Sequence, residues 1–117
     1  MKQLPLYMER NAHVVKQSDR NLDVLLKDLI ERGLLPKDID ATVVWTDDSW
    51  YDRLTNSSRI FHVVYISADA EKMTDEMIAY LIYREAVKFT LPFDPSVDIE
   101  DTLNELYAKF PGADAFA

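Results

Sequence analysis

The run Arg59-Ile60-Phe61-His62-Val63-Val64-Tyr65-Ile66-Ser67 constrains the fold more than any other stretch of this chain. It is β-branched and aromatic, and it is apolar at both odd and even positions, so as a strand it has two faces to bury and belongs in the interior of a sheet. A second run of the same character, Ala41-Thr42-Val43-Val44-Trp45-Thr46, precedes it. The residues between them include Trp50, Tyr51 and Leu54, which suggest a further short strand, and Asn56-Ser57-Ser58, which reads as a turn.

Both flanks of this β region have helical periodicity. Leu22, Leu25, Leu26, Leu29 and Ile30 recur at helical spacing, with Ser18 available as N-cap and Gly33 as the stop. Thr74 caps a second expected helix, Asp75 to Phe89, whose first turn carries Asp75 and Glu76 where the helix dipole favours anions. Asp98 opens a third, with Ile99, Leu103, Leu106, Tyr107 and Phe110 in one stripe and Pro111-Gly112 as its end. The fold class is therefore α+β: an N-terminal helix, a small sheet of two to three strands and two C-terminal helices. All 117 residues are expected to form one domain, with residues 1–14 ambiguous between helix and strand and 113–117 loose.

Charge and composition narrow the function classes. Lys and Arg number 13 against 21 Asp and Glu, a net charge of −8 that repels a phosphate backbone and argues against nucleic acid as partner. After Lys88 the only cation is Lys109, while Asp94, Asp98, Glu100, Asp101, Glu105 and Asp114 are anionic, so this end either steers a basic partner or simply keeps the surface solvated. There is no cysteine, hence no thiol nucleophile or thiolate metal site. No apolar run is long enough for a signal peptide or a membrane span, which points to a cytoplasmic protein with no membrane contact. The two glycines both follow helices, leaving no phosphate-cradling loop, and no cofactor is implied.

One side chain breaks the pattern. On the second helix Ile78, Leu81, Ile82 and Phe89 define an apolar stripe, and Glu85 falls in its middle. A carboxylate facing a core must meet a cation, a metal or hydrogen-bond donors, since its desolvation costs several kcal/mol. Arg84 and Lys88, one turn apart along the edge of the stripe, are the nearest cations in sequence.

The stretch from Val43 to Gly112 resembles the short zincin-type metallopeptidases, the minigluzincin, SprT-like and YgjP-like groups. There a helix and strands precede a helix bearing His-Glu-x-x-His, and this chain has Arg84-Glu85-Ala86-Val87-Lys88 in that place. A third ligand position of the YgjP-like pattern matches Asp94, after Leu91-Pro92-Phe93. The resemblance implies a minimal zincin-like architecture with Glu85 at the general-base position. It does not imply a working zinc site, because two cations stand where two neutral imidazoles are needed. The resemblance instead suggests a degenerate site in which Arg84, Glu85, Lys88 and Asp94 form an ion-paired network, with no metal. The competing reading is an ordinary helix with Arg84 and Lys88 as surface cations and Glu85 at a solvated rim.

The remaining candidates are weaker. His62, in a strand on the same face as Ile60, Val64 and Ile66, reads as a packing residue, and His13 has no partner to interpret. Asp47-Asp48-Ser49 reads as a turn. The aromatic set Trp45, Trp50, Tyr51, Tyr65, Tyr80 and Tyr83 is either core or the wall of a groove; His62, Tyr65 and Tyr80 are its groove candidates, beside the edge of the Ile60 to Ser67 strand. Three functions are compatible with this reading: a non-catalytic protein- or peptide-interaction module, a hydrolase using Glu85 or Asp94 with an unrecognised metal set, and an acidic structural or assembly subunit.

Overall fold

The computed structural model describes residues 20–48, 50 and 53–113. These residues build an α+β unit with the elements α1 (Leu22–Glu31), β1 (Thr42–Thr46), β2 (Thr55–Ser58), β3 (Val63–Ser67), α2 (Asp75–Ala86) and α3 (Glu100–Tyr107). Short 3-10 turns at Ala68–Ala70 and Val87–Thr90 follow β3 and α2. None of the helices described is long and apolar enough to cross a membrane.

The sheet order is β1-β3-β2, with β1 parallel and β2 antiparallel to β3. The strand apolar on both faces is thus the central one, and all five of its residues are buried. Its alternate residues part to opposite faces. Val64 and Ile66 join Val43 and Trp45 under α1 and α2 in the main core, while Val63 and Tyr65 pack with Val44, Trp50 and Phe61 on the other face. Both edges of β3 are taken by its neighbours, so the expected open edge along Ile60 to Ser67 does not exist.

Two further expectations need correction in the β region. Asn56-Ser57-Ser58 is not a turn but most of β2, and the turn lies instead at Arg59 to His62, residues expected in the long strand. The His62 amide donates to the Ser58 carbonyl at 2.8 Å, and the Phe61 amide to Ser58 Oγ at 3.1 Å. Polar residues with low strand propensity become a strand here because an edge strand paired to an apolar centre needs little propensity of its own. His62 takes a positive φ of 55° to close the turn, a conformation that non-glycine residues seldom adopt, so it is not a mid-strand residue and Ile60 is not on a core face. The expected short strand at Trp50, Tyr51 and Leu54 reduces to a single bridge between Trp50 and Arg53; Tyr51 lies outside the described residues.

The helix ends follow their signals at Gly33 and Thr74 and depart from them elsewhere. Asn21, rather than Ser18, caps α1 through the Asp23 amide; Ser18 is outside the described residues, as is His13. At the other end Gly33, with φ of 78°, donates to Ile30, and Leu34 donates to Leu29, the paired bonds of a Schellman stop. Thr74 accepts from the Met77 amide and caps α2, which closes at Ala86 and tightens into the 3-10 turn instead of running on to Phe89. α3 starts at Glu100, whose amide donates to Asp98, and it closes at Tyr107 with Ala108 as C-cap, short of the stop expected at Pro111-Gly112.

Charged contacts fasten α1 to α2. Arg20 Nε lies 2.7 Å from Asp75, and Arg32 holds both Glu76 oxygens at 2.8 and 2.7 Å while also reaching Asp28 at 2.7 Å. The bidentate bond from Arg32 holds the Glu76 carboxyl below its ordinary value of 4.5. A carboxylate with a depressed folded-state pKa contributes stability that is present above its unfolded value and lost as pH falls through the folded one. Urea denaturation of the wild type is therefore expected to lose more stability between about pH 5 and 3 than that of Arg32→Met. The difference is small because the pair is open to solvent.

Candidate functional site

Glu85 is the buried carboxylate around which the candidate site is built. It is only 8% exposed, on the face of α2 that carries the fully buried Ile78 and Ile82. β2 runs beneath, and because Ser57 pairs with Val64 it shares the core-facing side of the sheet. Ser57 Oγ donates to Glu85 Oε1 at 2.9 Å. Lys88 completes the shell, its Nζ donating to Oε1 at 3.2 Å and lying 3.4 Å from Oε2. The three-residue spacing is that of a one-turn pair, kept although the helix has tightened at Val87. The carboxylate is thus neutralised and hydrogen-bonded within its own chain.

Of the four residues expected in an ion-paired network, the structure brings only Glu85 and Lys88 together. Arg84 is exposed and lies over two rings, 4.7 Å from the Tyr107 centroid and 5.8 Å from that of Tyr80. Asp94 is exposed in the loop after α2, where Ser96 donates to it from its amide at 3.0 Å and from its hydroxyl at 2.7 Å. Those two bonds hold the Asp94 carboxyl below its usual range. Among the described residues no ion pair links Arg84 or Asp94 to Glu85. The physical reason is the helix itself: Arg84 and Glu85 diverge by about 100°, and the aromatic face offered by α3 holds the guanidinium on its own side.

Tyr107 connects Arg84 to the rest of the molecule. Burial raises the pKa of its hydroxyl, with Arg84 opposing and Glu85 reinforcing that rise. Tyr83 on α2 donates its hydroxyl to the Leu106 carbonyl, and burial raises its pKa as well. α3 is thereby fixed beside the Arg84 face of α2.

The groove candidates separate. Tyr65 and Tyr80 lie on opposite sides of the sheet, Tyr80 packed edge-on against Phe110 in the main core and Tyr65 in the smaller cluster. His62, in its turn, stacks on Phe89 with ring centroids 4.8 Å apart, and its Nδ1 sits 2.9 Å from the Asp40 carbonyl. The three residues therefore line no common groove. Ser57 was invisible as a site residue because polar Thr55-Asn56-Ser57-Ser58 carries no strand signal, and only the pairing with β3 turns its hydroxyl toward α2.

A zinc ion does not fit this arrangement. Lys88 already directs its ammonium at the carboxylate, Arg84 presents a permanent cation, and no group of three His, Asp or Glu side chains among the described residues is placed to hold a metal ion. Comparison of the chain with protein-family models, with curated proteins and with solved structures finds no match.

Proposed function

We propose that this chain is a non-catalytic protein- or peptide-interaction module on a degenerate zinc-peptidase-like scaffold. The observation that carries the reading is the Glu85 carboxylate, which accepts Ser57 Oγ and Lys88 Nζ in the place where a peptidase would direct a general base at metal-bound water. The succession of helix, small sheet, Glu85-bearing helix and closing helix supports the scaffold. Exposed apolar side chains at Ile60, Phe93 and Val97 support a role in binding. The partner on this reading is protein rather than nucleic acid, and the setting is cytoplasmic.

Elemental analysis of the purified protein tests the reading. The expected result is no stoichiometric zinc and no proteolysis of an unfolded substrate such as casein. One zinc per chain, with casein cleavage abolished by Glu85→Gln, would overturn it in favour of a hydrolase with an unrecognised ligand set.

A further inference from the structure

Beyond Glu85, the surface with the most unexplained character lies where the β2–β3 turn meets the loop after α2. Arg59 joins the two: its Nη2 donates to the carbonyls of Leu91 at 3.2 Å and Pro92 at 2.9 Å, and its guanidinium carbon lies 5.1 Å from the Phe93 ring centroid. The side chains beside this bridge point outward. Ile60 is 70% exposed and Phe93 60%, and Val97 is exposed further along the loop. Two large apolar groups left in the open are costly in solvent and favourable to bury, and the contact with Arg59 already places the Phe93 ring.

The surroundings identify the kind of partner. Asp94, Asp98, Glu100 and Asp101 are all exposed and follow Phe93 without an intervening cation. The cation on the near side, Arg59, turns its charge inward to backbone carbonyls and buries its Nε. A second copy of this acidic chain would bring like charges together, whereas a basic segment would not. We infer that the surface formed by Ile60, Phe93 and the acidic stretch Asp94 to Asp101 docks a lysine- or arginine-rich peptide segment bearing bulky apolar side chains. The inference rests on the interaction-module reading and assigns that module its binding face.

The test uses the full chain and two synthetic fluorescent peptides, one alternating lysine with leucine and one alternating glutamate with leucine. Fluorescence anisotropy is expected to show the lysine peptide bound at roughly 10 μM, weakening severalfold with added salt, and the glutamate peptide unbound. Ile60→Ser and Phe93→Ser, both exposed and so tolerant of substitution, are each expected to weaken binding about tenfold. Val24→Ser, which removes an exposed apolar group from α1, is expected to bind like the wild type. Absence of lysine-peptide binding, equal affinity for the glutamate peptide, or unchanged affinity in Phe93→Ser and Ile60→Ser would overturn the inference. So would a doubled mass in sedimentation that Phe93→Ser abolishes, since the occupant would then be a second copy. None of these outcomes alters the zinc measurement, so failure of the docking face and failure of the non-catalytic reading are told apart.

Discussion

Phe110→Ala is expected to destabilise the protein by roughly 3–5 kcal/mol, the largest effect of any single substitution considered. The side chain is 1% exposed and packs on Tyr80 and Tyr83, with ring centroids 5.1 and 5.6 Å away, while Arg32 lies over its face at 5.7 Å. It matters out of proportion because α3 itself has no buried residue; Leu103, Leu106 and Tyr107 are only partly covered. Phe110, three residues past the end of the helix, is therefore the anchor that seats α3 on the core. Urea denaturation would measure the loss, and amide exchange would locate it, with the α3 amides losing protection before those of β3. A cost below about 1 kcal/mol would mean that α3 is held chiefly by the Tyr83 bond to Leu106 and the stacking of Arg84 on Tyr107.

The second large effect concerns the buried ion pair. Lys88→Met removes the cation from a carboxylate that is almost enclosed and leaves it with the Ser57 hydroxyl alone, and a loss of about 2 kcal/mol is expected. The double variant Glu85→Met with Lys88→Met is expected to recover most of that loss, because the pair's Coulomb attraction is largely offset by desolvation and what destabilises is the orphaned charge. A double-mutant cycle followed by urea denaturation checks both statements. If the double variant were as unstable as Lys88→Met or worse, the pair would be a net source of stability. If Lys88→Met were neutral, Glu85 would be finding water or another donor, and the enclosed carboxylate would lose its significance.

The legibility of the candidate site differed from residue to residue. Glu85 stood out because a single charge in an apolar stripe violates the helical pattern, and the demand for a cation follows from electrostatics alone. That Lys88 meets this demand and Arg84 does not was decided by the one-turn spacing of Glu85 and Lys88, by the divergence of Arg84 from Glu85 on the helix and by the aromatic surface of α3, which gives Arg84 a better place. Asp94 was drawn into the network by its position in a resembled motif, yet its nearest donors are those of Ser96, two residues away, and short loops satisfy themselves locally before they reach across a fold. Of the proposed docking face the acidic stretch Asp94 to Asp101 was legible as a charge asymmetry, whereas the approach of Arg59 to Phe93 was not, since they lie 34 residues apart and neither has an unusual local context.

Sequence by itself determined the α+β class, the central strand apolar on both faces, the stop at Gly33 and the Thr74 cap, because each depends on contacts within a few residues or on a repeat period. Only the tertiary structure decided that Thr55 to Ser58 is a strand, that His62 turns a corner, that Tyr65 and Tyr80 face opposite ways and that Ser57 reaches Glu85. Those features depend on which segments pair across the sheet. Pairing is governed by the burial of β3 on both sides, an energy that belongs to the assembled layers and to no one segment of the chain.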